Sequence, residues 1–346
     1  MELLKELCET SGIPGFESRL RAIVRRELTP VVDDLTVDTL GNLIAVKRKA
    51  GAPKLMIAAH MDEIGFIVSH IDDRGWVRVV GLGGHDPRNM MAQRVTVCAP
   101  NGDLPGILHP GVKPPHIQTD EDRRKQLQIS DFFIDLGLPA ARVKELVRIG
   151  TPVTIQRTFE EIGDCVSCKA LDDRVALYIM IRAMQQASQF GFETYAVATV
   201  QEEIGLRGAA TSAFGVHPDV GIALDVTVAA DIPGVPEHER VTQVGNGVGI
   251  KILDSSAISH PGLVAFLQTL AQQRNIQWQP EILPRGGTDA GAMQRIRAGV
   301  PVATLSIPTR YLHTSVELLH KADVEATVKL LTAFIEEGNT VDLSLA

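Results

Sequence analysis

The spacing of apolar residues divides the chain into a helical start, a strand-rich middle and a second half in which helices and strands alternate. Residues 2–9 and 17–28 repeat apolar positions every three or four residues, which is the period of an amphipathic helix. The short apolar runs 42–48 and 54–60 are typical of strands. The second of these runs predicts His60 at the end of a strand.

The middle of the chain, from about residue 72 to residue 162, consists of short alternating runs separated by Gly, Pro and Asn. Strands at such close spacing indicate a small antiparallel barrel or sandwich. For the polar, charged residues 112–128 within this region we predict a long exposed loop. After residue 163, helical patterns such as 174–190 alternate with apolar runs such as 194–200, which predicts an α/β sheet covered by helices on both faces.

Charge and composition narrow the classes of partner. The chain has 346 residues, with 34 Lys and Arg against 42 Asp and Glu, a net charge of −8 and no run of five like charges. This balance predicts no nucleic-acid partner and no anionic membrane partner. The acidic, amphipathic N-terminus differs from a secretory signal, and no apolar run approaches the roughly 18 to 20 residues that span a bilayer. We expect a soluble, cytoplasmic protein with two domains.

Carboxylates and histidines recur at the ends of the apolar runs, and they are the candidate functional residues of this chain. Imidazole and carboxylate together are the ligands of hydrolytic sites for divalent metals. Residues beyond the carboxyl ends of strands in an α/β sheet meet in one crevice, so these dispersed side chains are expected to converge. The candidates are His60, Asp62, Asp172, Asp173, Glu202, Glu203, Asp225 and His313.

Taken singly, these residues leave alternatives open. Most histidines are hydrogen-bonded or exposed rather than bound to a metal. Asp172 and Asp173 suit a helix N-terminus as well as a bridging metal ligand. Glu202 and Glu203 are adjacent carboxylates among apolar residues, where their mutual repulsion favours a compensating cation. The set as a whole, and no single member, predicts a metallohydrolase.

Other motifs are incomplete. Residues 245–250 lack the third glycine of a dinucleotide-binding loop, and the chain has no GxSxG, HExxH or GxxxxGK[ST] motif. Cys165 and Cys168 form a CxxC pair without the second pair that a zinc ribbon needs, and we interpret them as incidental. Arg285 and Arg310 are candidates for selecting acidic side chains of a substrate, although a solvated or structural role is the simpler interpretation.

Several blocks occur together in one order: SGIPGFE, AHMDEIGFIV, KALDDRVA, QEEIGLRGA, GGTDAGAM and IPTRYLHTSVE. Through most of its length the chain resembles the glutamyl and deblocking aminopeptidases, dinuclear metallopeptidases of peptidase clan MH that include the tetrahedral TET-type enzymes. The resemblance implies a dinuclear-zinc peptidase fold, in which helices sandwich a mixed central sheet of the α/β class. It also implies an inserted small β-barrel or PDZ-like domain. The expected boundaries are 1–67 and 163–346 for the catalytic domain and 68–162 for the inserted dimerisation domain.

The resemblance also implies roles for the candidate residues. Two divalent ions, Zn, Co or Mn, are expected in each subunit, with the Asp172 carboxylate bridging them. His60 and Asp225 match the remaining ligands of one ion, and Glu203 and His313 those of the other. Glu202 matches the general base and Asp62 the acid that orients His60. Asp173 is left as a structural neighbour of the bridge.

The function implied is that of a metal-dependent aminopeptidase acting on peptides, in homo-oligomers whose dimers assemble to a dodecamer. Glu202 would take the proton of a metal-activated water and pass it to the leaving amine. One alternative is a deacylase or carboxypeptidase-like hydrolase with a similar dinuclear centre, because a fold alone does not fix a substrate. Another is a non-catalytic assembly protein. The preferred N-terminal residue and the native metal stay open at this stage.

Overall fold

Two separate sheets organise the protein in the computed structural model, which describes residues 1–345. One is an open sheet of 11 strands, and the other is a closed barrel formed by β4, β5, β8, β7, β6 and β9. The strands, in chain order, are β1 (Asp34–Val37), β2 (Leu43–Lys47), β3 (Lys54–His60), β4 (Gly65–Ile71), β5 (Val77–Leu82), β6 (Gln93–Ala99), β7 (Gly102–Pro110), β8 (Phe132–Asp135), β9 (Pro152–Ile155), β10 (Glu160–Ile162), β11 (Cys165–Cys168), β12 (Glu193–Thr199), β13 (Val220–Val228), β14 (Val248–Leu253), β15 (Trp278–Ile282), β16 (Val302–Arg310) and β17 (Glu317–His320).

Helices cover both faces of the open sheet, as the alternating pattern of the second half predicted. Strand β3 shows this: Leu55 and Ile57 join the apolar cluster on one face, and Met56 and Ala58 join the cluster on the other. The sequence of a strand that is buried on both faces in this way is a nearly continuous apolar run. The helices are α1 (Glu2–Glu9), α2 (Ser18–Leu28), α3 (Asp120–Arg124), α4 (Ala140–Leu146), α5 (Leu171–Gln186), α6 (Arg207–Val216), α7 (Pro261–Gln273), α8 (Asp289–Gln294) and α9 (Lys321–Glu337).

The centre of the open sheet is parallel. β12, β3, β13 and β16 lie side by side in that order and run in the same direction, while β2 and β14 flank them antiparallel. The carboxyl ends of these parallel strands therefore meet at one edge of the sheet. The confirmed α/β class with an inserted barrel thus also provides the crevice in which the candidate residues were expected to converge.

The barrel has its own apolar core, to which Phe66, Val95, Phe132 and Val153 contribute. Its strands run from Gly65 to Ile155, whereas β10 already pairs with β11 of the open sheet. Residues 112–128 are mostly exposed, as predicted for this charged stretch, although they include the short helix α3. Within residues 1–345, no helix combines the length and the apolar character that crossing a bilayer requires.

Three candidate residues lie in positions that the sequence pattern did not predict. Asp225 lies inside β13 rather than after it. Asp172 and Asp173 have non-helical backbone angles at the start of α5, and the peptide bond between them is cis. A regular helix N-terminus therefore does not describe these two carboxylates.

Candidate metal centre

The candidate residues converge at the carboxyl edge of the parallel strands. His60 is the last residue of β3, Glu202 and Glu203 follow β12, and His313 follows β16. Asp225 reaches the same region from β13, and Asp172 reaches it from the start of α5. Strands β3, β12, β13 and β16 thus each bring at least one ionisable group to this edge of the sheet.

Asp172 is shared between two groups of side chains that could each hold a metal ion. Its Oδ1 lies 3.2 Å from Nε2 of His60, and its Oδ2 lies 3.1 Å from Nε2 of His313. In the first group, ligand atoms of His60, Asp172, Asp173 and Asp225 all lie within 4.8 Å of one another. In the second, the same holds for Asp172, Glu203 and His313. One carboxylate that serves both groups through its two oxygens suits a bridging ligand.

Glu202 belongs to neither group. Its Oε2 lies 3.9 Å from Nε2 of His60, and its side chain lines the cavity beside the groups. Glu203 instead directs Oε1 to 3.5 Å from Nε2 of His313. The two adjacent glutamates therefore differ in placement, although the chain turns here: the carbonyl oxygen of Glu202 accepts hydrogen bonds from the backbone N–H groups of Gly205 and Leu206.

Asp62 contacts the site in a way that the sequence did not reveal. Nδ1 of His60 lies 3.0 Å from the backbone carbonyl oxygen of Asp62 and 3.7 Å from its Oδ1. The Asp62 carboxylate accepts hydrogen bonds from the backbone N–H groups of Glu202, at 3.0 Å, and Glu203, at 3.1 Å. The backbone of Asp62 thus lies against the histidine ring, while its side chain fixes the glutamate pair.

The buried carboxylates of these groups lack enough positive charge around them. Burial and the nearby Asp172 charge raise the pKa of Glu203 to about 8. Burial likewise raises the pKa of Glu202 and Asp225 well above the usual carboxyl range, with neighbouring carboxylates adding to the effect. Oε1 of Glu203 and Oδ1 of Asp173 are buried without a hydrogen-bond partner among the described residues. Divalent cations would compensate these charges and satisfy these oxygens, so the residues present fit a metal centre.

Comparison with known proteins agrees with this geometry. The family model of the M42 glutamyl aminopeptidases matches residues 41–330. The chain belongs to the M42 aminopeptidase family. This membership confirms the predicted family and the prediction that the chain is an enzyme.

Relatives of this M42 peptidase match it over almost the whole chain. A lysyl aminopeptidase of Pyrococcus furiosus is 39% identical, with 99% of both chains covered. Among solved structures, an aminopeptidase of the archaeon Desulfurococcus kamchatkensis is 38% identical with a TM-score of 0.93, covering 97% of this chain and 94% of that one. The TET1 peptidase of Pyrococcus horikoshii, which can assemble into a tetrahedron or a large octahedral shell, is 32% identical with a TM-score of 0.87, covering 97% and 99%.

A cavity of about 380 Å³ opens in front of the two groups. Residues from both sheets line it, because Gly84 follows the barrel strand β5 and Lys251 lies in β14. A Cβ atom at Gly84 would lie 2.9 Å from Nδ1 of His313, so this wall of the M42 site tolerates only glycine without a shift. The lining residues are His60, Gly84, Asp172, Glu202, Glu203, Leu206, Asp225, Val226, Thr227, Val228, Lys251, Leu283, Arg285, Gly286, Gly287, Thr288, Leu312 and His313.

The structure places the two candidate arginines and the two cysteines of the CxxC motif differently. Arg310 forms an ion pair with Asp231, Nη2 to Oδ2 at 2.6 Å, whereas Arg285 lines the cavity. Cys165 and Cys168 are three positions apart on strand β11, where side chains point to opposite faces, so they cannot act as a pair. Neither cysteine lines the cavity in front of the candidate ligands.

Three buried acidic residues near the M42 site were missed by the sequence reasoning. Glu317 accepts hydrogen bonds from the backbone of Asp172 and His313. Asp289 accepts one from the hydroxyl of Thr199 at 2.6 Å, and Glu281 lies 2.9 Å from the ammonium group of Lys251. Glu317 and Asp289 lie inside the blocks LHTSVE and GGTDAGAM, and those blocks were the only signal that could have found them.

Proposed function

We propose that this chain is a metal-dependent aminopeptidase that removes N-terminal residues from peptides and holds two divalent ions, Zn, Co or Mn. The observation that carries the proposal is the placement of Asp172, whose two oxygens serve two histidine-containing groups at one wall of the cavity. Family membership supports the same activity. His60, Asp172 and Asp225 would hold one ion, with Asp173 beside them, and Asp172, Glu203 and His313 the other.

Glu202 is the general base of this proposal. A pair of bound divalent ions lowers the pKa of water and polarises a peptide carbonyl. Glu202 lines the cavity without belonging to either ligand group, so its carboxylate is free to accept a proton there and to deliver it to the leaving amine. The Asp62 carboxylate keeps Glu202 in place through its backbone N–H.

The first prediction tests this role. Purified protein should hydrolyse aminoacyl anilides when Co²⁺, Zn²⁺ or Mn²⁺ is added, and Glu202→Gln should lose at least about 100-fold in kcat, in line with the usual contribution of general acid–base catalysis. The variant should still bind as much Co²⁺ as the wild type. Glu121→Gln, at an exposed residue of α3, is the matched control and should keep the wild-type rate. A Glu202→Gln enzyme with full activity would refute the assignment.

The same assay with a panel of substrates distinguishes the aminopeptidase from the alternative functions. Hydrolysis of N-acylated or C-terminal substrates, with no hydrolysis of substrates bearing a free amine, would identify a deacylase or carboxypeptidase. No hydrolysis of any of them at full metal occupancy would identify a non-catalytic assembly protein. Varying the aminoacyl group then gives the preferred N-terminal residue.

We further propose a homo-oligomer in which barrel-mediated dimers assemble to a dodecamer. The assembly of the Pyrococcus horikoshii TET1 peptidase supports this. So do the apolar side chains of Val80 and Ile107, which are 52% and 53% exposed on the outside of the barrel. Sedimentation at micromolar concentration with metal present should give a mass far above 37.5 kDa, and a monomeric mass would refute the proposal. The cytoplasmic location stays a prediction.

A further inference from the structure

Glu317 joins two metal-binding segments without belonging to either ligand group. Its Oε2 accepts a hydrogen bond from the backbone N–H of Asp172 at 3.0 Å, and its Oε1 accepts one from that of His313 at 2.9 Å. We propose that Glu317 is a positioning residue that holds Asp172 and His313 in register and thereby sets the metal affinity of the group formed by Asp172, Glu203 and His313. The inference rests on the proposed function.

The backbone at both segments explains why such a residue is needed. His313 has a φ of 59°, in the left-handed region that residues with a side chain rarely adopt, and so does Ala170, with a φ of 54°, two residues before Asp172. Both segments are therefore bent away from regular structure, and their N–H groups depend on a side chain for a partner. The Glu317 carboxylate supplies both acceptors at once.

Strand pairing brings Glu317 to this position. β17 runs antiparallel to β11, and Glu317 lies directly opposite Cys168, close to the point where the chain turns toward Asp172. β17 also pairs with the end of β16, after which the chain reaches His313. Glu317 is 2% exposed, so its carboxylate makes these hydrogen bonds away from bulk solvent. The carboxylate thus fixes the distance between two ligands that are far apart in sequence.

Two other carboxylates of this chain also accept hydrogen bonds from two backbone N–H groups each. Asp62 accepts from the backbone of Glu202 and Glu203 within the site. Asp323 accepts from the backbone of Gly245 and Gly247, both at 2.7 Å, in a region that carries none of the candidate ligands. Asp323 is fully buried, as Glu317 nearly is, and therefore offers a matched control for the loss of a buried double acceptor.

The informative substitution is Glu317→Gln. An amide keeps one acceptor oxygen but presents an N–H₂ donor in place of the other, so the N–H of either Asp172 or His313 faces a donor. That segment must then move. Substitutions of residues that orient metal ligands typically weaken metal binding by about 10- to 100-fold, and we expect a loss in that range. Glu317→Asp keeps both oxygens on a shorter stem and should recover part of the affinity.

In the experiment, a chelator first removes metal from the full-length protein, which is then titrated with Co²⁺. Calorimetry measures the binding, and visible absorption reports the environment of the bound Co²⁺. The wild type, Glu317→Gln, Glu317→Asp and Asp323→Asn are compared, together with their melting temperatures. Glu317→Gln should bind Co²⁺ about 10- to 100-fold more weakly, with an altered absorption spectrum. Asp323→Asn should melt at a lower temperature than the wild type but keep the wild-type Co²⁺ affinity and absorption spectrum.

Each outcome decides the matter. If Glu317→Gln keeps wild-type affinity and spectrum and only melts earlier, Glu317 is a structural residue and the inference is wrong. If Glu317→Gln does not fold, the titration of Glu317→Asp takes its place: an affinity equal to that of the wild type overturns the inference, and a weaker one supports it. A wild-type protein that binds no Co²⁺ would refute the proposed function itself, which separates that failure from this one.

Discussion

At the scale of single residues, the buried charge of Lys251 is balanced by neighbouring carboxylates and not by solvent. Lys251 and Glu281 are 2% and 0% exposed, with Nζ 2.9 Å from Oε1, and Asp254 lies 3.8 Å from the same ammonium group. Thr227 adds a hydrogen bond to Glu281 at 2.6 Å. Since Lys251 lines the cavity wall, this small network supports the shape of the site as well as the fold.

Replacing Lys251 by Met should therefore destabilise the protein. The substitution leaves the buried Glu281 and Asp254 without their cation, and breaking a buried ion pair on one side costs about 3–5 kcal/mol. Unfolding in urea, followed by circular dichroism, measures the loss. Lys113→Met, which removes an exposed pair with Asp122, is the control and should change the free energy of unfolding by less than about 1 kcal/mol. Equal losses in the two variants would show that the Lys251 network contributes nothing special.

At the scale of elements, the barrel contributes residues to the site at the edge of the open sheet. The segment after β5 brings Gly83 and Gly84 against the second ligand group, where a Cβ at Gly83 would lie 3.2 Å from Oε2 of Glu203. His85 anchors this segment, because its Nε2 lies 2.8 Å from the carbonyl oxygen of Gly65 and its ring stacks on Phe66. The inserted barrel therefore supplies part of the wall around the candidate metal ligands.

Gly84→Ala should weaken the site without unfolding the protein. The added methyl group would lie 2.9 Å from Nδ1 of His313 and must push the ring away. We expect kcat/KM to fall by about tenfold or more, because ligand geometry near a metal tolerates only small shifts. Gly215→Ala in α6 adds the same methyl group where nothing lies within 4 Å, and it should leave kcat/KM unchanged. A Gly84→Ala enzyme with wild-type kcat/KM would show that His313 moves freely.

At the scale of the whole molecule, we expect the stability of the fold to depend on metal binding at the candidate centre. The centre lies where the ends of β3, β12, β13 and β16 meet the start of α5, so the buried carboxylates repel each other across the middle of the catalytic sheet. A ligand that binds only the folded state stabilises it by mass action, by about 2.7 kcal/mol at a concentration 100 times its dissociation constant.

Removal of metal should consequently lower the melting temperature, and added Co²⁺ or Zn²⁺ should raise it in a concentration-dependent way. Differential scanning calorimetry of chelator-treated protein, before and after metal is restored, measures the shift. Asp172→Asn, which weakens the shared ligand, should respond much less to added metal. A wild-type melting temperature that is the same with and without metal would contradict the coupling.

The sequence alone determined the class of fold, the family, the enzyme class and the set of residues that meet at the sheet edge. His60, Asp172, Glu203, Asp225 and His313 were predictable because each is an ionisable residue at or near an apolar run, and parallel strands place their carboxyl ends together. Their individual roles remain predictions.

Only the tertiary structure decided which groups hold these residues in place. Glu317 reaches Asp172 and His313 through the register of β17 against β11, and Gly84 approaches His313 from another domain. Asp62 contacts backbone N–H groups of a segment that follows a different strand. Such contacts depend on distances between segments remote in the chain, and local apolar spacing carries no information about them.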